Sequence, residues 1–231
     1  MKVFWTEVAL ERVENGFAPR LDGRPLKTPG KAVLSAPTEA LGAAIAEEWR
    51  AQSGDVDPAS MPLTRAANSA IDRVTPMAAD VAAEIAGYGG TDLLCYRAPH
   101  PAALAARQAA AWDPLLAWAA QQLGAPLDLT EGVMHLAQPQ ASLEVLTRAV
   151  EAHDPWQLTA LHGLVTLSGS LVLGLAVSHR HMPAAEAWPL SRIDEQWNIE
   201  EWGADEEAER LAAEKKTAFT DAARLMDLLR G

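Results

Sequence analysis

The spacing of apolar residues changes near Pro37, and that change marks out the architecture. From Val8 to Ser35, short runs able to form strands alternate with turn signals at Asn15-Gly16, Asp22-Gly23 and Pro29-Gly30, which predicts a small antiparallel meander. Beyond Pro37 the period is helical. Leu41, Ile45 and Trp49 recur on one line while Glu47 and Glu48 lie off it, so a helix can cover the sheet. Gly54 to Pro58 reads as a connector, and the domain division is placed there, with 1–57 rich in strand and 58–231 helical. After Pro62, Leu63, Ala66, Ala67, Ala70, Ile71 and Val74 fall on one helical face. Thr75-Pro76, Asp113-Pro114 and Asp154-Pro155 each pair a capping side chain with a proline suited to a first turn, predicting three further helix starts. Asp205, Glu206 and Glu207 open a last amphipathic helix that runs through Leu211, Phe219 and Met226 to Leu229. The expected fold is α+β: the meander with its covering helix, then a larger all-α orthogonal helical bundle.

Leu158 to Val177 has no formal charge and ten Leu or Val residues, yet its histidine, hydroxyls and glycines argue against membrane insertion. A buried central helix is expected, its glycines letting neighbours come close. The N-terminal Met1-Lys2-Val3-Phe4-Trp5-Thr6-Glu7 has neither the apolar run of a signal peptide nor an Arg-rich, acid-poor presequence. That favours a bacterial cytoplasm.

The chain has 231 residues, 49% of them hydrophobic, enough for a substantial core. A net charge of -12 disfavours nucleic acid and anionic lipid as partners and favours a basic or neutral protein surface. Cys95 is the only cysteine, which suits a reducing compartment; it is expected to be a small buried hydrophobe.

Candidate chemistry is sparse. Neither GxxxxGK[ST] nor GxGxxG occurs, so no nucleotide cradle is encoded, and no cofactor is expected. Ser168-Gly169-Ser170 lacks the GxSxG turn and lies in a helical run where a hydroxyl bonds its own backbone. His179 and His181 stand two apart without an HExxH pattern. They read as a polar helix end, against the alternative of a zinc site completed by His153 or His162. His162 alone is expected to be a hydrogen-bonded core residue. Between Ser191 and Glu209, Asp194, Glu195, Glu200, Glu201, Asp205, Glu206, Glu207 and Glu209 face only Arg192. Trp197 and Trp202 interleave with these acids, which favours partner binding over a merely solvated face: aromatics supply contact area and carboxylates supply steering. Trp112, Trp118 and Trp156 are expected in the core. Trp49, at its helix end, serves either an interface or the junction of the two domains.

Several ordered blocks carry a resemblance. Leu21-Asp22-Gly23-Arg24-Pro25-Leu26-Lys27-Thr28-Pro29, Ile45-Ala46-Glu47-Glu48-Trp49 and Met61-Pro62-Leu63-Thr64-Arg65-Ala66-Ala67-Asn68-Ser69-Ala70-Ile71-Asp72-Arg73 are followed by Tyr88 to Arg97, Gln108 to Leu116, Asp194-Glu195-Gln196-Trp197 and Glu201-Trp202-Gly203. Together they resemble the assembly factors of the ATP synthase catalytic head, chaperones of the alpha subunit. The resemblance implies a small strand-rich domain followed by a helical bundle, and an ATP-independent chaperone that shields the alpha subunit until the beta subunit replaces it. It points to Trp49, Asp194 and Glu195 as partner-binding residues; Trp197, Glu200 and Trp202 are added from the charge and aromatic pattern. Catalytic and metal residues are not expected, and the free protein is expected to be a monomer. Two departures stand out: Asn198 where the family usually has glutamine, and Pro189, which would kink or begin the helix leading into the acidic segment. The rivals are a small metal- or carboxylate-dependent hydrolase and a generic holdase.

Overall fold

The computed structural model describes residues 2–230. Strands β1 (Val8–Val13), β2 (Gly16–Leu21) and β3 (Arg24–Pro25) form the expected antiparallel meander, with Val8 opposite Leu21 and Val13 opposite Gly16. Asp22 and Gly23, at φ of 47° and 76°, make the two-residue reversal whose twist matches its strands. The Asp22 carboxylate accepts the N–H groups of Thr6 and Glu7 at 3.0 and 2.9 Å. Helix α1 (Glu39–Arg50) starts at Thr38, whose hydroxyl accepts the Leu41 N–H. It buries Leu41 and Ile45 over the sheet, so close that a Cβ on Gly42 would lie 2.9 Å from that of Phe17.

Helix α2 (Pro62–Ser69) has no cap of its own. Glu48 of α1 supplies one, accepting the Leu63 and Thr64 N–H groups at 2.7 and 2.8 Å. The path then stays helical through a π turn at Ala70–Val74 and a 3-10 turn at Thr75–Met77 into α3 (Ala78–Gly87). The helix start expected at Thr75-Pro76 is therefore absent. Instead the turn before Pro76 widens, and the Thr75 N–H and hydroxyl both reach the Ala70 carbonyl.

A short parallel pair joins β4 (Tyr96–Arg97) to β5 (Thr130–Glu131), on either side of α4 (Ala102–Trp118). Here too an expected start fails, since Pro114 lies inside α4. Trp112, Leu115, Leu116 and Trp118 are buried around it, and that packing outweighs the one backbone bond the proline removes. Asp113 pairs with the buried Arg97 at 2.8 Å rather than capping. Next come α5 (Gln140–Glu151) and α6 (Pro155–Ser168), where the expected start is real: Asp154 accepts the Trp156 and Gln157 N–H groups at 2.8 and 2.9 Å. Helices α7 (Leu171–Ser178), α8 (Ala184–Leu190), α9 (Ile193–Trp202) and α10 (Glu206–Leu228) complete the chain.

The single helix expected over Leu158–Val177 is two. Gly169 takes φ 73°, a left-handed conformation that ends α6, and Ser170 caps α7 by accepting the Leu173 N–H at 3.0 Å. The glycines do allow close approach: a Cβ on Gly174 would lie 2.5 Å from Val165, and one on Gly163 2.9 Å from Ala222. Among the described residues no helix is long and apolar enough to cross a membrane.

The chain packs as two compact units. The first runs to Ala78 and includes Asp154–Ala160 and the segment from Arg224 onward; the second comprises Ala79–His153 and Leu161–Ala223. Residues 58–78, beyond the expected division, thus group with the meander. At the centre of the second unit lies α7, buried along its whole length. Asp92, fully buried, accepts the Val172 N–H at the start of α7 at 2.9 Å and the Leu94 N–H at 3.0 Å. Burial pushes its carboxyl above the ordinary range against the pull of these donors. Asp92→Ala strands both N–H groups in an apolar interior and is expected to lower the unfolding free energy by about 3 kcal/mol. Urea unfolding monitored by tryptophan fluorescence would show a reduced midpoint at unchanged slope; an unmoved midpoint would show that Asp92 does not hold α7.

Candidate functional site

Helix α9 carries five of the six candidate residues, all in the second unit. Its placement begins in α4, where the fully buried Trp112 donates its indole N–H to the Leu190 carbonyl at 2.8 Å. Pro189 neither kinks α9 nor begins it: it lies in the last turn of α8, and the chain turns through Ser191 and Arg192 before Ile193 starts anew. Asp194 and Glu195 consequently occupy a first turn, where the helix dipole favours negative charge.

Two faces of α9 then part company. Towards α4, Ile193 is buried, Gln108 donates to Asp194 Oδ1 at 2.6 Å, and Arg107 pairs with Glu200 at 2.8 Å. The Arg107 guanidinium also lies 4.9 Å from the Trp197 ring centroid. Its hydrogen bond holds the Glu200 carboxyl below the usual glutamate range, and the same bond raises Arg107. On the outward face, Glu195 and Trp202 stand at i and i+7, and Trp202 is 86% exposed. Glu195 pairs with Arg192 at 2.7 Å. Solvation continues past Gly203: from Glu206 to Ala218 no residue of α10 is buried, and Asp205 caps the helix by accepting the Ala208 N–H at 2.8 Å. Phe219, Leu225 and Met226 then turn inward.

Trp49 belongs to the first unit. It is half-buried, with its ring 5.3 Å from that of Trp5, and its indole nitrogen has no acceptor among the described residues. The first unit also holds a cleft of about 650 Å³ lined by Val13, Pro25, Val33, Ile71 and Trp156, with Arg20 at its side. Arg20 is ion-paired with Glu11. Trp156, expected in the core, is half-buried in the first turn of α6 and lines the cleft.

The remaining candidates have structural partners. His181 stacks on Trp118 with centroids 4.8 Å apart, and His153 Nε2 lies 2.7 Å from the Ser178 hydroxyl. His162 is not a core residue: it reaches the surface of α6, 3.7 Å from Glu84. Ser168 donates to the Leu164 carbonyl at 2.7 Å, its own helix. Cys95 is fully buried, and burial pushes its thiol up to about 12. Among the described residues no group of three His, Cys, Asp or Glu is placed to hold a metal ion.

Arg107 and Gln108 are the residues that sequence reasoning passes over. The signal was faint: Arg107 is the sole charge between Ala102 and Trp112 in an alanine-rich helix, and a lone arginine is equally well satisfied by water.

Comparison with known proteins agrees with this architecture. The model of the ATP12 chaperone protein family matches residues 2–120. The crystal structure of Atp12 from Paracoccus denitrificans superposes with a TM-score of 0.97 at 52% identity, covering 99% of this chain and 98% of that one. A protein from Agrobacterium tumefaciens superposes with a TM-score of 0.94 at 41% identity over 98% of this chain and 85% of that one. The mitochondrial protein atp12 of Schizosaccharomyces pombe is 25% identical over 222 residues, 90% of this chain and 76% of that protein.

The geometry of Glu200 and of Cys95 can each be checked in solution. Because the folded pKa of Glu200 lies below its unfolded one, the Arg107 pair contributes fully above the unfolded value and is lost as pH falls through the lowered folded value. NMR titration should show Glu200 and the Trp197 indole moving together below the usual glutamate range; a midpoint within that range would mean the pair is not formed. Native Cys95 should resist iodoacetamide at mildly alkaline pH and react once urea unfolds the chain, whereas rapid native labelling would contradict its burial.

Proposed function

The chain belongs to the ATP12 chaperone family, and from that premise we propose that it is an ATP-independent assembly factor for the ATP synthase catalytic head. In this reading it binds the unassembled alpha subunit and shields the surface destined for the beta subunit. An isolated subunit exposes an apolar face that invites aggregation. Covering it requires contact area and a charge pattern, not a reaction. Release occurs when the beta subunit competes for the same surface, so the chaperone must bind more weakly than the final neighbour. We place this activity in a bacterial cytoplasm, with the free chaperone a monomer.

The observation that carries the reading is the outward face of α9. Trp202 holds an indole in water on the face that carries Glu195 two turns earlier, ahead of the solvated acidic start of α10. An exposed aromatic rimmed by carboxylates suits a basic or neutral protein surface. Asp194, Trp197 and Glu200 lie on the side of α9 that meets Gln108 and Arg107 of α4, with Glu200 still open to solvent, and Trp49 is a separate contact candidate in the first unit. A carboxylate-dependent hydrolase would need Asp194 or Glu200 free to act, and their hydrogen bonds to Gln108 and Arg107 oppose it. A generic holdase would protect unrelated aggregating proteins equally well.

Co-purification with separately expressed subunits tests the proposal: alpha should be retained and beta should not. Trp202→Ala and Glu195→Lys are each expected to weaken capture of alpha by about tenfold without altering the melting temperature. Equal retention of both subunits, or indifference to both, sinks the assignment.

A further inference from the structure

Trp197 and Glu200 stand at i and i+3 on α9 and present one continuous surface. That surface already has an occupant. The Arg107 guanidinium lies over the Trp197 ring and against the Glu200 carboxylate. An aromatic face combined with a carboxylate selects a planar guanidinium over a compact ammonium, because only the former can stack and hydrogen-bond at once. The occupant is not locked in: the side chains of Arg107 and Glu200 are 41% and 43% exposed. Ion pairs open to solvent to this extent are weak and exchange readily.

We propose that Trp197 and Glu200 form a guanidinium-binding site, filled by the chain's own Arg107 in the free protein and by an arginine of the client in the complex. The inference rests on reading α9 as the client-binding helix. Arg107 acts as an internal stand-in that keeps the cradle formed while the chaperone is empty. Because the client must displace it, the net gain from the incoming arginine is small. An exchange of this kind fits a chaperone that has to let go without an energy source. The excess of carboxylates between Ser191 and Glu209 steers a basic client surface toward the cradle.

The test uses the full chain with Arg107→Ala, repeated with Arg107→Gln, which keeps more of the stem. N-acetyl-arginine amide is titrated while the Trp197 indole resonance is followed by NMR, with Trp197→Phe used for assignment. In the wild type the site is occupied and the shift should be small and unsaturated across a millimolar range. Both Arg107 variants should show a saturable shift, with the lysine analogue weaker. Against the alpha subunit, both variants should bind up to about fivefold tighter than wild type, and adding Trp197→Ala should abolish the gain. If the variants ignore the arginine probe, or bind alpha more weakly at unchanged melting temperature, Arg107 only positions α9 and the proposal is overturned. A positive arginine titration with no capture of alpha by any form, wild type included, removes the client assignment and leaves the guanidinium site standing.

Discussion

Within each of the two units, carboxylates that accept backbone N–H groups fix the turns and helix starts. Turns and helix starts leave donors without partners, and a buried donor left so costs about 1–3 kcal/mol. Here the shortfall is met by acids from elsewhere in the chain as well as by local caps. Asp22 ties down Thr6 and Glu7, Glu48 closes the start of α2, and Asp92 closes that of α7. Asp72 accepts from the Thr28 hydroxyl and the Gly30 N–H, both at 2.7 Å. Part of the chain's negative charge is thus engaged within the fold, while α9 and the start of α10 carry a local run of eight carboxylates from Asp194 to Glu209.

The blocks that carry the family resemblance are, for the same reason, largely architectural. Asp72, in the block from Met61 to Arg73, is bonded to Thr28 in the block from Leu21 to Pro29. Glu48, from the segment between them, caps Leu63 and Thr64. A recognisable sequence here reports a frame more than a binding face. On α9 the same logic divides neighbours only a residue apart, with Asp194 committed to Gln108 and Glu195 turned towards solvent.

Local rules read the local features well. The meander, the covering helix, the Asp154 cap and the acidic start of α10 each arise from residues within a few positions of one another. Thr75-Pro76 and Asp113-Pro114 mislead because they share the cap-then-proline pattern of Asp154-Pro155; only the burial of residues on both sides of Pro114 decides that the helix runs on. The break at Gly169 is hidden inside an uninterrupted apolar run, since hydropathy does not register a left-handed residue. Asp92 and Val172 are 80 positions apart, so their bond has no sequence signature. For the candidate site, the acids and tryptophans of α9 are legible in the sequence, whereas their division into supported and exposed members depends on Arg107 and Gln108 of another helix.

The first half of α10 is uncovered and largely self-supporting. Held by its Asp205 cap and by pairs such as Arg210 with Glu214, that stretch owes little to the core, while Phe219 and Met226 anchor the second half. Its backbone amides should therefore trade protons with solvent in a gradient that fades towards Phe219. Evolution, or an engineer, has there a length of helix on which to write new recognition or attach a reporter without disturbing the frame beneath.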